Sequence, residues 1–428
     1  MAISDDLNSI RTHLEDDYKE LENLGVSVED RNIENIKDMA NQIYAKFPKT
    51  SYGEGTSITL SNCLKGKLDY EDDKVGYGDT KQEGEPTPTT PIPIQVVTGE
   101  QEVVVRGKNI LNINGTHYYR YSDISIQNNT ISMTDTSTTA GNWVWWNLPV
   151  KSGQQITISY GDITNEGSVS LNNRVHYMFT EAPYTSYSSD FANSSYINKA
   201  DKYATTTTTN ICLVLLLRTG NGNSYDINNI QVEYSSSATP YEPYITPITK
   251  QLSLGDRELY KNSTIVRVSE GNWKFIDNWG KVNANDYSFS IGSITIDGQT
   301  YNQFSTPSNT PTSLKGGLNT SDKVKCNKFL SGISAINKFY INSGRRIVVV
   351  APILNGNYVT DIDTFNTIKS DMYIVGELNT PIETPITDTT LINQLEEIYN
   401  IQSVNGTTII ETNGNLPMII KCRALKGE

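Results

Sequence analysis

Hydrophobic spacing changes period along this chain. Between residues 4 and 47, Leu7, Ile10, Leu14, Leu21 and Leu24 recur at intervals of three and four. Gly25 and Val26-Ser27-Val28 break the stripe, which restarts at Ile33, Ile36, Ala40, Ile43 and Phe47. This spacing predicts two helical segments, with Asp30 as the cap of the second. Each apolar stripe is narrow and needs a partner helix, either in another copy of the chain or in the first β-domain. The expectation is a helical or coiled-coil anchor over residues 1–47.

Beyond Pro48 the period falls to two. Residues 48–94 read as a Pro/Gly-rich linker. It ends in Glu83-Gly84-Glu85-Pro86-Thr87-Pro88-Thr89-Thr90-Pro91-Ile92-Pro93-Ile94, a run suited to an extended polyproline spacer. Residues 95–244 read as one β-sandwich. Strands are expected at Gln95–Val105, Ile124–Met133, Trp143–Trp146, Gln155–Tyr160, Val175–Phe179, Ile211–Leu217 and Ile227–Tyr234. Turn signals such as Asn114-Gly115 and Asn128-Asn129 separate them, as in a jelly roll.

Residues 245–280 are expected to be a connector built on a hairpin that turns at Glu270-Gly271-Asn272. Residues 281–385 form a second β-domain, with strands at 287–296, 323–329, 337–341, 346–351 and 372–378 and a short helix at 361–369. Residues 386–428 close the chain with a helix capped at Thr387–Thr390 and a terminal hairpin turning at Asn413-Gly414-Asn415. The fold class is therefore mainly β: a helical anchor, a jelly-roll-like sandwich and a second β-domain.

Composition narrows the function. The chain has 428 residues, room for about two to four domains. Its net charge of −13 argues against general nucleic-acid binding and against adhesion to anionic membranes. No apolar run reaches the roughly 18 residues that span a bilayer, and residues 1–20 lack the apolar segment of a secretion signal. Cys63, Cys212, Cys326 and Cys422 lie far apart without metal-site spacing and read as free thiols.

Chemistry for catalysis is sparse. His13, His117 and His176 have no triad partners nearby in sequence, and no nucleophile elbow, phosphate loop or calcium loop occurs. Asp361 and Asp363 read as a solvated turn. No catalytic residue, cofactor or metal is assigned, although carboxylates that converge only in space escape a sequence reading. Tyrosine is the dominant aromatic, 25 residues against 9 Phe and 5 Trp. In Trp143-Val144-Trp145-Trp146, period two places Trp143 and Trp145 on one face and Trp146 on the other. One face fills the sandwich core. The other is either covered or exposes an indole for stacking on a sugar. Trp143, Trp145, Tyr118 and Tyr119 are thus the candidate glycan-binding residues. Trp273 and Trp279 flank the connector hairpin and are expected to wedge the β-domains together.

Four segments resemble minor structural proteins of phages and prophages of Gram-positive bacteria, of tail, baseplate or fibre type. They are Gly84–Ile94 leading into Val103–Leu111; Ile230–Glu233 followed by Ala238-Thr239-Pro240-Tyr241-Glu242-Pro243-Tyr244; Leu259–Arg267 with Trp273-Lys274; and Leu378–Asp388 leading into Leu391–Glu396. The second also resembles the closing strand of carbohydrate-binding-module sandwiches on phage fibres. The resemblance implies a virion location, synthesis in the bacterial cytoplasm and trimeric assembly, and supplies no catalytic or ligand residues. Other virion proteins, met through the N-terminal helices, and a host cell-surface glycan are the expected partners. Three functions follow: a structural and adhesion component of the virion, a receptor protein recognising host cell-wall polysaccharide, and a glycan-degrading enzyme.

Overall fold

The computed structural model describes residues 50–135, 142–166, 174–219 and 223–427. The chain is mainly β, with two α-helices among the described residues: α1 (Ile362–Lys369) and α2 (Thr389–Tyr399). The expected anchor, with Leu7, Ile10, Leu14, Leu21, Leu24, Ile33, Ile36, Ile43 and Phe47, lies outside the described residues.

A central body is assembled from three distant stretches of chain. One sheet orders the strands Ser57–Cys63, Gly406–Asn413, Glu100–Arg106 and Ile248–Ser253 side by side. Ile410 sits between Ile58 and Val105 in this ladder. A second sheet pairs Ile420–Leu425 with Thr50–Gly55 and Asp69–Tyr70. Between them lies one core that includes Leu60, Val103, Leu252, Ile265, Phe275 and Met418. Helix α2 covers it through Leu391, Leu395 and Ile398, which share a helix face by their spacing. Asp388 caps α2 by accepting from the Thr390 and Leu391 amides.

This body corrects several sequence expectations. Residues 48–94 are not a spacer: Ile58, Leu60, Leu68 and Val75 are core residues, and the segment carries strands of the central body. Pro86 and Pro88 are buried, and the run docks on the second β-domain through the Ile92 amide, which donates to the Asn327 carbonyl at 2.8 Å. Gln95–Val105 belongs to the central body and not to the sandwich, because Val103 and Val105 face its core. The hairpin at Glu270–Gly271 forms as expected, yet its Ile265, Trp273 and Phe275 are part of the same core and not of a connector. The terminal hairpin does not form. Gly406–Asn413 and Ile420–Leu425 join two different sheets, the first between Ser57–Cys63 and Glu100–Arg106 and the second beside Thr50–Gly55.

Two domains are inserted into this body. The second, built on Phe304, Phe339, Ile347, Val349 and Phe365, is joined to it by a third sheet, which orders Lys74–Tyr77, Thr264–Ser269, Asn272–Asn283, Tyr373–Pro385 and Val324–Cys326. The strands Asn272–Asn283 and Tyr373–Pro385 pair from Asn283↔Tyr373 to Lys274↔Pro385, with an irregularity between Asp277 and Trp279. Trp279 packs with Ile94 and Val375 where this domain meets the central body, whereas Trp273 lies in the central core.

The first insertion is the sandwich, with a core running from Leu111 to Val232. Polar locks hold its two crossings. Asn109 accepts from the Leu111 and Val232 amides and donates to the carbonyls of Ile230 and Glu242. The Glu233 carboxylate accepts from the Thr239 amide and hydroxyl, and Glu242 accepts from the Thr407 amide and hydroxyl while pairing with Lys108 at 3.0 Å. The Ala238–Tyr244 segment thus returns the chain to the central body. Beside it, Glu411 accepts from both Arg106 and Lys151, at the edge of a cleft of ≈ 470 Å³ between sandwich and body.

Gly406 has φ +97°, and a Cβ there would lie 2.8 Å from the Glu242 carboxylate. Gly406→Ala is expected to lower stability by about 1–3 kcal/mol, through backbone strain and loss of this approach, as read by chemical denaturation. A second prediction concerns Glu396, which accepts both Arg267 Nε and Nη2 at 3.0 Å, the Gly271 amide and Trp273 Nε1. Burial alone pushes this carboxyl up, but the Arg267 hydrogen bond, followed by those of Gly271 and Trp273, outweighs it and holds the group below the ordinary glutamate range. A carboxyl depressed on folding contributes stability above its unfolded pKa and loses it as pH falls through the folded one. Stability should therefore decline on acidification below the glutamate range, and the decline should be shallower in Glu396→Gln, measured as denaturation midpoint against pH.

Candidate functional site

The five-stranded sheet of the sandwich is apolar on both faces. Its middle strand, Cys212–Thr219, sends Leu213, Leu215 and Leu217 inward, and Cys212, Val214 and Leu216 outward. Neighbouring Asn142–Pro149 sends Val144, Trp146 and Leu148 inward, and Trp143 and Trp145 outward. The face assignment by period two is as the sequence indicates. Of the two alternatives the sequence leaves for the outer face, covered or exposed, the covered one holds: Trp143 is 3%, Trp145 1% and Trp146 2% accessible. Neither Trp143 nor Trp145 offers a stacking surface at the present surface of the sheet.

What covers the indoles is the segment 181–194. Its short 3-10 helix, Ser189–Asn193, places Phe191 at 0% exposure against both, with ring centroids 5.0 Å from Trp145 and 6.1 Å from Trp143. Polar staples fix this lid. Asn147 donates to the Tyr184 carbonyl and accepts from its amide, each at 2.9 Å, and Trp145 Nε1 donates to the same carbonyl. His176 Nδ1 lies 3.0 Å from Ser194 Oγ and its ring meets Trp143 edge-on. Burying two indoles and a phenyl ring under a loop gives the sandwich a second small core.

Around the lid runs a ledge of exposed rings. Tyr118 is half-buried and stacks on Trp145 at 5.7 Å, while Tyr119, paired with the inward-facing Val144, is 63% exposed on the other face of this edge strand. Tyr121 is 52%, Tyr187 37% and Tyr196 56% exposed. Tyr121 has φ +56°, a strained conformation for a bulky residue, which swings its ring beside Arg120. The Arg120 guanidinium lies 3.8 Å from the Tyr187 ring centroid and 5.0 Å from that of Tyr121.

Register places Arg120 and Arg218 on either side of Trp143, on the same face of the sheet. Arg218 lies 5.6 Å from the Trp143 ring, and its Nε is buried without a hydrogen-bond partner. The sequence reading named Trp143, Trp145, Tyr118 and Tyr119 and missed Arg120, Arg218, Tyr187 and Tyr196. Arg120 stands within the Tyr118–Tyr121 run, a cue available from sequence. Tyr187 reaches the ledge only through the lid, and Tyr196 through the opposite edge strand, Ser195–Ile197, where it pairs with His176; nothing local announces either.

Other candidates fall elsewhere. Asp361 caps α1 by accepting from the Thr364 amide at 2.7 Å, in agreement with a solvated turn. His117 Nδ1 lies 3.0 Å from the Gly115 carbonyl, beside Trp146. All four cysteines are free and buried. Among the described residues no cluster of three His, Cys, Asp or Glu side chains is arranged to hold a metal, and no helix is long and apolar enough to cross a membrane.

The division between lid core and ledge is testable by substitution. Trp145→Ala is expected to cost about 3–5 kcal/mol, in the range of buried aromatic truncations, whereas Tyr187→Ala or Tyr119→Ala should shift stability by less than about 1 kcal/mol. Denaturant titration of the three variants measures both. Compared with known proteins, the chain matches no family model, no curated protein and no solved structure.

Proposed function

We propose that the chain is a structural and adhesion component of a bacteriophage particle, of tail-fibre, baseplate or spike type, whose sandwich attaches to a host cell-surface glycan. The virion role draws on the resemblance carried by Gly84–Ile94, Ile230–Tyr244, Leu259–Trp273 and Leu378–Glu396. The structure gives those segments mechanical work in keeping with it. They tie the two inserted domains to the central body through Asn109, Glu242 and the shared ladder of Asn272–Asn283 with Tyr373–Pro385.

The observation that carries the attachment reading is the tyrosine ledge. Tyr121, Tyr187 and Tyr196 stand exposed around a stapled lid, on a sheet whose buried aromatic layer keeps them in place. Rigid aromatic faces with phenolic hydroxyls suit sugars, whose rings present apolar C–H faces and a rim of hydroxyl groups. In this reading residues 1–47 supply assembly, as a homo-oligomer, with a trimer the expected form, or by docking on another virion protein.

Two measurements test the proposal. Gently purified particles should contain the chain, and its absence from them removes the virion reading. The full chain should be retained on host cell-wall polysaccharide, and Tyr121→Ala with Tyr187→Ala should weaken retention about tenfold, or ~1.4 kcal/mol. Unchanged retention would remove the ledge as the contact surface. Light scattering with and without residues 1–47 reads the assembly role: a trimer that falls to monomer on truncation supports self-association, and a monomer in both cases supports docking on a neighbour.

A further inference from the structure

We infer that the ledge takes an acidic glycan, with Arg120 and Arg218 as the residues that bind its carboxylate or phosphate groups; this rests on the glycan-attachment reading and specifies its ligand class.

The argument starts from what these guanidiniums lack. The chain carries a net charge of −13, and five of the nine described arginines are paired with carboxylates: Arg106 with Glu411, Arg174 with Glu166, Arg257 with Asp277, Arg267 with Glu396 and Arg423 with Asp69. Arg120 and Arg218 form no ion pair with any described residue, and their guanidiniums lie over aromatic rings. A guanidinium presents five donors in a planar fork that matches carboxylate and phosphate oxygens. Holding one over a ring leaves that fork free at its edge, while the ring restricts its motion.

Placement adds to this. Both arginines are half-buried, so water alone serves them less well than it would on an open surface. The Nε of Arg218 is buried without a partner, a desolvated donor that an anion drawn to this guanidinium would compensate through charge. The two side chains flank Trp143 on adjacent strands, which sets their backbones about 10 Å apart, two strand spacings. The rings of Tyr187 and Tyr121 bracket Arg120, and Tyr196 reaches the far side through His176 and Trp143. A cationic row framed by aromatic faces is the complement of a sugar chain that carries acid groups, since the rings take the C–H faces and the guanidiniums take the anions. The lid carboxylate of Asp190 is held by the hydroxyls of Tyr184 and Ser188 and does not pair with either arginine.

The test compares two polymers that share a backbone and differ in charge: polygalacturonate and its fully methyl-esterified form. Calorimetry or affinity electrophoresis on the full chain is expected to show binding of the acid polymer at least about tenfold tighter than of the ester, weakening with added salt. Arg120→Gln and Arg218→Gln should each lower affinity for the acid polymer, and the double variant should abolish the preference. Arg120→Gln leaves the small core of the lid untouched, so it keeps the test valid if Arg218→Gln perturbs folding, which circular dichroism would show. Equal affinity for both polymers, lost in Tyr187→Ala, would overturn the acidic class and leave glycan attachment standing. Acid-polymer binding unchanged in both Arg120→Gln and the double variant would overturn the assignment of these arginines. Binding of neither polymer, together with retention of the chain on host cell wall after its acid groups are esterified, would overturn the acidic class, whereas loss of both kinds of retention would remove the attachment reading itself.

Discussion

Everything in this molecule depends on the ladder in which Gly406–Asn413 lies between Ser57–Cys63 and Glu100–Arg106. Its partners are separated by roughly 300 to 350 residues, and almost the whole of both inserted domains lies within that interval. Closing so long a loop carries a large entropic cost, which grows only slowly with length. The apolar row Ile58–Ile410–Val105 and the shared core around Leu60, Val103 and Met418 offset it by removing apolar surface from water. With that ladder formed, the ends of each insertion are brought to fixed places, and both domains become attachments to one body.

The two insertions are held in different ways. The second domain grows out of a continuous ladder, so its orientation follows from strand pairing between Asn283↔Tyr373 and Lys274↔Pro385. The sandwich crosses by two short segments, and buried polar groups replace the missing ladder. Asn109 satisfies four backbone groups at once, and Glu242 bridges the returning segment to Thr407 and Lys108. Leaving such donors unpaired would cost more than a new contact gains, so the network specifies geometry more than it adds stability. A binding face carried on the sandwich would be presented at a defined angle to whatever holds the central body.

Within the sandwich, the same strand serves two cores. Leu213, Leu215 and Leu217 build the principal one, while Val214 and Leu216 join Trp143, Trp145 and Phe191 beneath the lid. The lid converts what would be an exposed apolar sheet face into a buried layer with a polar, aromatic rim. At its margin rings and guanidiniums are left to meet water.

The sequence alone determined the local elements, because their causes are local. Alternation marked Ile156–Ile158, an apolar run marked Ile347–Val349, Asp388 within Thr387–Thr390 marked a helix start, Gly271 marked a hairpin, and period two assigned Trp143 and Trp145 to one face. Tertiary structure decided which elements share a core. Ile58 and Leu60 look like fragments of a loop until Ile410 pairs beside them, and Gly406–Asn413 with Ile420–Leu425 mimic a hairpin until each joins a different sheet. It also decided exposure. Period two fixes the side of a strand, but whether that side meets water depends on Phe191, a residue nearly fifty positions away whose burial comes from side-chain packing and not from any pattern in the strand it covers.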